Sequence, residues 1–351
     1  MILRSAFRGK RVWLSGHTGF KGGWLAVWLT EMGARVTGFS LAPQTHFFSQ
    51  LKLKNLLRHE LGDLRDAGKV RKSILRCRPD FVFHLAAQPL VRDSYLRPLE
   101  TYEINTLGTA HVLEALREVR HPCAAVFITT DKVYRNEERR HAFREEDPLG
   151  GQDPYSASKA ATEILISSYR DSFFQSHPVR IASARSGNVI GGGDYAENRI
   201  VPDAFRALRK GLAIPVRNPK SIRPWQHVLE PTSGYLALAI HLSREKKIDG
   251  AYNFGPSPRD QKTVAALVRT ILKKWPGRWK RLREKNPSHE AGRLQLNNRK
   301  AWQHLRWKPR LSFAQSVGIT MDWYRASIIP KFDAFQACRQ QIKEYSSLNP
   351  K

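Results

Sequence analysis

The fold of this chain is decided by residues 11–22, which read RVWLSGHTGFKG. The apolar run over residues 11–15 predicts a buried strand, and residues 20–32 have the periodicity of a helix. Between them, Gly16-His17-Thr18-Gly19-Phe20-Lys21-Gly22 places three glycines in the order GxxGxxG. Glycines at a strand-to-helix turn let backbone amides approach a pyrophosphate, so the stretch predicts a dinucleotide site; the other interpretation is an ordinary glycine turn.

Outward from this turn, apolar runs alternate with amphipathic stretches, which is typical of a parallel sheet covered by helices. Predicted strands occupy residues 11–15, 35–40, 81–86, 124–129, 179–184 and 251–254, with short ones before Gly62 and around Gln226. Predicted helices occupy residues 20–32, 66–77, 105–119, 155–174, 202–210 and 231–242. The fold class predicted is α/β, a Rossmann-type doubly wound parallel sheet.

The pattern becomes less regular after residue 185. We expect residues 1–185 to form the dinucleotide-binding Rossmann domain and residues 186–351 to form mainly a smaller, interleaved C-terminal lobe that binds substrate. Residues near 224–245 are expected to return to the sheet. The charged, apolar-poor residues 278–289 predict a surface loop.

The charge of the chain raises the question of a polyanionic partner. The 59 lysines and arginines against 31 aspartates and glutamates give a net charge of +28. A charge of this size in isolation favours nucleic acid as a partner. The basic residues are spread along the chain, however, without a basic helix, a repeat or an RNA-binding signature. We therefore predict a solvated basic surface and no nucleic-acid partner.

Composition also bears on the compartment. The three cysteines, Cys77, Cys123 and Cys338, are far apart and predict neither a disulfide framework nor a metal site. No apolar run approaches the roughly 20 residues that cross a bilayer, and the start of the chain carries no signal-peptide core. These features predict a cytoplasmic protein that does not bind membranes.

The second strand indicates which dinucleotide is bound. The acid that usually follows about 20 residues after the glycines, and that contacts the adenosine ribose, is missing here. The strand ends at Ser40, so ribose contacts are expected from Ser40 or from backbone. No arginine stands there to favour a 2′-phosphate. NAD is therefore the predicted cofactor rather than NADP.

A candidate catalytic pair lies on the predicted helix 155–174. Tyr155 and Lys159 are four residues apart, on one face of that helix. The helix follows the strand that ends at Thr129, so the pair lies where parallel sheets bind ligands. A nearby ammonium and the charge of the nicotinamide would lower the pKa of the phenol, and Lys159 can also hold the nicotinamide ribose. The alternative is a surface tyrosine and lysine.

Five segments carry a specific resemblance. They read GHTGFKGGWL (16–25), TTDKVY (129–134), GGQDPYSASKAATE (150–163), RSGNVIGGGDY (185–195) and RPWQHVLEPTSGYLALA (223–239). In this order they resemble the CDP-glucose 4,6-dehydratase family of the extended short-chain dehydrogenase/reductase superfamily, from about residue 10 to 255 and more weakly over 300–324. Lys132 stands where other 4,6-dehydratases carry glutamate. Val133 stands where this family has cysteine, an exchange expected to leave the chemistry intact.

The resemblance implies NAD-dependent loss of water from CDP-glucose, for deoxysugar and surface polysaccharide biosynthesis such as lipopolysaccharide O-antigen. C4 is oxidised with Tyr155 as base and Thr130 hydrogen-bonded to the same oxygen. Water is then eliminated across C5 and C6, and the hydride returns to C6. Lys132 as base needs a lowered pKa, and Asp131 as acid needs a raised one. The two residues could equally form an ion pair with shared or swapped roles, or a solvated turn.

The same resemblance implies the binding residues. Asp63 and Leu64 would contact the adenine, although Asp63 could equally cap the next helix. Leu85, Ala86 and Ala87 would lie along the cofactor. The expected substrate contacts are Asn188, Arg199 and Arg223 at the diphosphate, Trp225 and His227 near the same pocket, and Gln88 and Tyr95 at the sugar. Any of the arginines could instead be a surface residue, Trp225 core and His227 a satisfied polar residue.

The resemblance also bears on the assembly of the chain. Relatives commonly pair the helices near Asn105 and Tyr155, which implies a homodimer or homotetramer. The choice of cytosine rests on resemblance alone. One alternative is another sugar-nucleotide enzyme of the superfamily: an epimerase, a reductase or a 4,6-dehydratase of another nucleotide. Another is a noncatalytic basic Rossmann protein that binds nucleotides or RNA.

Overall fold

The computed structural model describes residues 2–138, 141–282, 292 and 294–349. The strands in these residues are β1 Arg11–Ser15, β2 Arg35–Ser40, β3 Arg58–Leu61, β4 Phe81–His84, β5 Cys123–Ile128, β6 Val179–Ser186, β7 Val189–Ile190, β8 Ile214–Val216, β9 Ile222–Arg223, β10 Gln226–His227, β11 Gly250–Phe254, β12 Lys262–Thr263 and β13 Trp279–Arg281. The helices are α1 Ile2–Phe7, α2 Phe20–Glu31, α3 Phe47–Gln50, α4 Ala67–Cys77, α5 Val91–Leu96, α6 Pro98–Tyr102, α7 Gly108–Arg117, α8 Pro154–Phe173, α9 Ile200–Arg209, α10 Leu229–Arg244, α11 Val264–Lys274, α12 Arg299–Leu305, α13 Phe313–Ala326 and α14 Ala334–Ser347.

A seven-stranded sheet forms the centre of the molecule, in the order β11-β6-β5-β4-β1-β2-β3. Its neighbouring strands all pair parallel. The chain runs outward through β1, β2 and β3 and then crosses to β4 on the other side of β1. The predicted α/β Rossmann-type fold is confirmed, and the point where the strand order reverses is where such sheets bind ligands.

Alternate residues of the strands feed two cores, because successive side chains of a strand point to opposite faces. Val12 and Leu14 belong to the core that α2 and α10 cover, whereas Trp13 belongs to the core that α4, α7 and α8 cover. The Trp13 indole donates to Ser73 Oγ at 2.8 Å, which satisfies its buried N–H. Helices on both faces leave the strand ends as the open edge of the sheet.

The second half of the chain packs back onto the first. Helix α10 contacts β5 and β6, and α14 contacts α2, where Tyr345 and Trp28 meet edge to face at 5.8 Å. Among the smaller strands, β7 pairs with β10 and β8 pairs with β13. The division into a cofactor domain and a substrate lobe stays a prediction.

Two expectations change at the level of single elements. Residues 279–281 are not a loop but strand β13, whose backbone pairs with β8 and so satisfies groups that a loop would leave to water. The rest of the predicted loop, over 283–289, lies outside the described residues. The helix expected from residue 105 begins as a π-helical turn, Glu103–Leu107, before α7. Within the described ranges, no helix has the length and apolarity needed to span a membrane.

Candidate active site

The glycine turn between β1 and α2 is closely packed. Gly16 has a φ of +76°, and a Cβ there would lie 2.8 Å from the amide nitrogen of Ala86. A Cβ at Gly22 would lie 2.0 Å from the carbonyl oxygen of Gly16. Helix α2 starts after Gly19 without a side-chain cap and without an acidic residue in its first turn. Its first amides are therefore available to an anion, and the turn fits a pyrophosphate.

Ser40 at the end of β2 lies beside this turn. Its Oγ is 2.7 Å from Oγ1 of Thr18, which also donates to the carbonyl of Leu41 at 3.3 Å. A pair of hydroxyls thus lies at the strand end where the acid is missing. Both can accept and donate, as the two hydroxyls of a ribose require.

Asp63 follows β3 and is hydrogen-bonded to Arg65. It accepts from the Arg65 amide at 2.9 Å and from its guanidinium at 2.6 Å, and these bonds lower the pKa of Asp63. The cap of α4 is Asp66, which accepts from the Lys69 amide at 2.9 Å, so the helix-cap interpretation of Asp63 is wrong. Leu64 beside it is buried against Gly108.

The loop after β4 is fixed to the end of β1. The amides of Leu85 and Ala86 donate to Ser15 Oγ at 3.0 and 3.1 Å, and this hydroxyl lies 2.8 Å from Nδ1 of His84. Burial lowers the pKa of His84 to about 3, so its ring is neutral. The sequence analysis did not select Ser15 or His84. The available signal was a polar residue at the end of each of two apolar strands.

Tyr155 and Lys159 lie on one face of α8, whose start is fixed by Asp153 accepting from the Ser156 amide at 2.9 Å. Lys159 Nζ is 3.5 Å from the carbonyl oxygen of Ile128 at the end of β5. Burial lowers the pKa of Lys159 to about 8. Burial also raises the pKa of Tyr155 to about 12, although a hydrogen bond with Thr130 opposes the rise. The protein groups alone therefore do not lower the phenol pKa; the expected lowering also includes the charge of the nicotinamide and stays a prediction.

The Thr130-Asp131-Lys132 triplet forms a tight turn directly after β5. Asp131 is fully buried, and its Oδ1 lies 3.1 Å from Lys132 Nζ and 3.1 Å from Thr130 Oγ1. Its other oxygen, Oδ2, has no hydrogen-bond partner among the described residues. The Lys132 side chain is 27% exposed. The ion pair, one of the three interpretations left open by the sequence, is the arrangement observed.

A cavity of about 950 Å³ opens at this end of the sheet. The selected residues on its wall are Phe20, Lys21, Thr130, Lys132, Tyr155, Asn188, Arg199, Arg223 and Trp225. Arg199 pairs with Asp194 at 3.1 Å, and Arg223 donates to the Ile222 carbonyl at 3.1 Å. Oδ1 of Asn188 is buried without a partner in the described chain. The cavity thus joins the catalytic candidates to the residues expected at a diphosphate.

Three of the residues expected to contact substrate are not on that wall. The Gln88 side chain donates to the Leu90 carbonyl and to Thr101, both at 3.1 Å, and so holds its own loop. Tyr95 is 43% exposed. His227 is fully buried beside Trp24, and burial lowers its pKa to about 3. The expected substrate contact of His227 is therefore corrected to a neutral core histidine, since it is fully buried against Trp24 and is not on the cavity wall.

A buried cluster beneath the triplet was not selected from the sequence. We call it the Glu163–Arg185 cluster; its members are Thr129, Tyr134, Glu163, Ser183 and Arg185. Arg185 pairs with Glu163 at 2.9 Å and donates to the Tyr134 hydroxyl at 2.8 Å. Ser183 donates to Glu163 at 2.7 Å, and Thr129 donates to its other oxygen. Both charged residues lie within segments that carry the resemblance, which was the signal available.

Comparison with known proteins follows this geometry. The family model described as GDP-mannose 4,6 dehydratase matches residues 14–320. CDP-glucose 4,6-dehydratase of Salmonella typhimurium is 44% identical over 357 aligned residues, which cover 99% of this chain and 99% of the relative. dTDP-glucose 4,6-dehydratase of Streptomyces antibioticus is 30% identical over 269 residues, 75% of each chain.

Solved structures share the fold. UDP-glucose 4-epimerase of Thermotoga maritima superposes with a TM-score of 0.79 at 20% identity, covering 91% of this chain and 99% of the other. dTDP-glucose 4,6-dehydratase of Streptomyces venezuelae, solved with NAD bound, has a TM-score of 0.78 at 22% identity, covering 90% and 97%. Because the family model spans most of the chain and a full-length relative shares nearly half of its residues, the chain belongs to the GDP-mannose 4,6-dehydratase family of the extended short-chain dehydrogenase/reductase superfamily.

Proposed function

We propose that this chain is an NAD-dependent hydro-lyase that converts CDP-glucose to CDP-4-keto-6-deoxyglucose. The observation that carries the proposal is the meeting of Tyr155 with the Thr130-Asp131-Lys132 turn at one cavity. The full-length identity to a protein named CDP-glucose 4,6-dehydratase supports the choice of substrate. Selectivity for cytosine rests on that identity alone.

The residues around the glycine turn suit NAD. The open amides at the start of α2 would hold its pyrophosphate, and the Thr18–Ser40 hydroxyls would hold a ribose. Asp63, Leu64 and the loop Leu85–Ala86–Ala87 would border the adenine and the dinucleotide, and Lys159 would hold the second ribose. When bound, NAD supplies a hydride acceptor for C4 and afterwards a hydride donor for C6.

The first proton is assigned to Tyr155. Tyr155 and Thr130 both lie on the cavity wall, so both hydroxyls can contact the C4 oxygen of the sugar. A pKa of about 12 makes the phenol a weak base at neutral pH. The positive charge that accompanies a bound oxidised cofactor would lower this value. Base activity at Tyr155 thus depends on cofactor binding.

The ion pair suggests how the elimination is divided. A carboxylate is already able to accept a proton and an ammonium is able to donate one. With Asp131 paired to Lys132, the charges suit Asp131 as the acceptor of the C5 proton and Lys132 as the donor to the departing hydroxide. This reverses the assignment that the sequence suggested first. Lys132, on the cavity wall, would place its proton next to the leaving group.

The substrate diphosphate is assigned to Arg199, Arg223 and Asn188, all on the cavity wall. A guanidinium offers several donors in a plane, which suits phosphate oxygens. In this scheme residues 1–185 bind the cofactor, and residues 186–351 mainly bind substrate. Helix α10, within 224–245, belongs to the sheet half because it packs on β5 and β6.

We propose a homodimer, which could pair further into a tetramer. Exposed apolar side chains gather where α5, α6, the π-helical turn and α8 adjoin. Leu96 is 80% exposed, Leu99 71%, Leu107 55% and Ile164 60%. Apolar side chains exposed together mark an interface. Sedimentation analysis checks this assignment, and charged substitutions at Leu99 and Ile164 should yield monomers.

We further propose that the enzyme acts in the cytoplasm, on the way to a deoxysugar of a surface polysaccharide such as lipopolysaccharide O-antigen. Both points rest on the reaction class and on the absence of a spanning helix in the described residues. Deleting the gene and analysing the sugars of the surface polysaccharide tests this role.

The reaction itself is tested with purified protein and NAD. CDP-glucose, dTDP-glucose and GDP-mannose are supplied in parallel, and the 4-keto-6-deoxy product is followed by mass and by absorbance in alkali. We expect loss of water from CDP-glucose alone. Loss of water from another sugar would keep the mechanism and correct the base. No loss from any of the three would favour an epimerase, a reductase or a noncatalytic binding protein.

A further inference from the structure

Lys21 differs from Lys132 and Arg199, two other cationic groups of the cavity. Lys132 pairs with Asp131 at 3.1 Å, and Arg199 pairs with Asp194 at 3.1 Å. Lys21, the second residue of α2, also lines the cavity and is partly buried. It has no hydrogen bond and no ion pair with any residue in the ranges that the structure describes. Its ammonium therefore faces the cavity without a counter-ion.

The charges around Lys21 are mostly of the same sign. Lys159, Arg199 and Lys132 repel it, and Asp131 is the one acid whose attraction is appreciable. Burial and this repulsion lower the pKa of Lys21 to about 7. Asp131 is already shared with Lys132, so it cannot balance a second cation. The surroundings of Lys21 therefore have an excess of positive charge, which an anion would offset.

We propose that the Lys21 ammonium binds a phosphate oxygen of a nucleoside diphosphate in this cavity. The inference rests on the proposed function to the extent that both of its ligands, the nucleotide sugar and the dinucleotide, contain a diphosphate. Lys21 adjoins both of the proposed sites. It belongs to the glycine turn by sequence and shares the cavity wall with Arg199 and Arg223. The shared chemistry is a diphosphate, and its source is decided by experiment.

This assignment has a consequence for the unliganded protein. An ammonium held without a counter-ion destabilises the fold, whereas an apolar side chain of similar length would not. Lys21→Met should therefore raise the melting temperature of the ligand-free protein while weakening anion binding. A lysine with a structural role would behave in the opposite way, because its replacement would lower the melting temperature.

The test measures binding of CDP and of NAD separately, by calorimetry, to the wild type, Lys21→Met and Lys21→Arg. Loss of one charge-assisted contact is expected to weaken binding roughly 10- to 100-fold. Lys21→Arg should stay close to the wild type because it keeps the charge. The exposed Lys72→Met, which removes the same charge far from the cavity wall, should change neither affinity.

The pattern of losses identifies the source of the phosphate. Weaker CDP binding by Lys21→Met assigns Lys21 to the substrate, and weaker NAD binding assigns it to the cofactor. Unchanged affinity for both ligands overturns the proposal, as does a Lys21→Met protein that is less stable or fails to fold, or a wild type that binds neither ligand. A wild type that binds both ligands but does not dehydrate CDP-glucose would count against the proposed reaction only, so the two failures are distinguishable.

Discussion

Two carboxylates, Glu163 and Asp131, are buried at the end of the sheet and differ in how completely they are hydrogen-bonded. Both oxygens of Glu163 accept hydrogen bonds, from Thr129 on one side and from Ser183 and Arg185 on the other. One oxygen of Asp131 accepts two bonds, while the other has none among the described residues. The cation of Glu163 is 4% exposed, whereas Lys132, the cation of Asp131, is 27% exposed.

The difference separates a supporting carboxylate from a reacting one. A buried oxygen without a hydrogen bond costs about 1–3 kcal/mol, so the fold gains nothing from leaving Asp131 half satisfied. The Glu163–Arg185 cluster begins at Thr129, two residues before Asp131, and fixes the backbone that carries the turn. One carboxylate therefore holds the position of the other. The same substitution at each residue should then have opposite consequences.

The largest effect is expected from Asp131→Asn, which should lower the rate of the reaction. The amide cannot exchange the C5 proton, so turnover of CDP-glucose should fall by about 10²- to 10⁴-fold, the usual contribution of a positioned acid or base. Stability should change little, because the partly exposed Lys132 can turn to water. Product formation and urea unfolding measure the two quantities. A variant with more than a tenth of wild-type turnover would contradict the proposed role of Asp131.

Glu163→Gln is the matched change, and it should lower the free energy of unfolding. The new amide group would face the Arg185 guanidinium, which is buried and would lose its partner. Removing one member of a buried pair costs about 3–5 kcal/mol in unfolding free energy. Urea unfolding measures the loss, and turnover per folded molecule should fall far less than in Asp131→Asn. Equal stability of the two variants would remove the distinction between the carboxylates.

Gly187→Ala sharpens the comparison without replacing either carboxylate. A Cβ there would lie 2.5 Å from Pro224 Cγ and 2.8 Å from Asp131 Oδ2, so it would press on the unsatisfied oxygen. We expect a destabilisation of about 1–3 kcal/mol, typical of overpacking, together with slower turnover. Gly68→Ala is the control, since the nearest atom to its Cβ is 3.5 Å away. Normal turnover in Gly187→Ala would show that the space beside Oδ2 is not used.

The local parts of this site could be predicted from the sequence. The strand–glycine–helix unit and the Tyr155–Lys159 spacing are patterns of residues that are close together in the sequence. The structure has the strand, the turn and both helices where the sequence predicts them. Strand β13 could not be predicted in the same way, because its partner β8 lies more than sixty residues earlier and its own side chains are exposed. Its pairing is a long-range backbone effect without a hydrophobic pattern.

The side chains of the site follow the same division. His227 shares a motif with Arg223, but the ring of Trp24, on a helix about two hundred residues earlier, decides that it is a core residue. The isolation of Lys21 is also invisible in the sequence. It depends on which cations surround it and on which acids those cations have already taken. Motifs therefore predict which residues are near a site, while packing decides which of them face it.

Glu230→Gln extends the comparison to a third buried carboxylate, one that is hydrogen-bonded without a direct cation. Glu230 accepts hydrogen bonds from the amides of Arg310 and Leu311 at 2.8 and 2.6 Å and from the Tyr345 hydroxyl at 2.7 Å. These bonds lower its pKa, but burial outweighs them and raises the pKa from 4.5 to about 7. The folded protein thus binds this proton more tightly than the unfolded chain does, so the stability it contributes is present below pH 4.5 and is lost as the pH rises through about 7. We expect a loss of about 2–3 kcal/mol between pH 5 and pH 8 that the glutamine variant does not share. Urea unfolding of both proteins across this pH range measures the contribution of Glu230, because every other titrating group is common to them. Parallel pH profiles of the two proteins would mean that burial without a cation leaves the Glu230 carboxylate unperturbed.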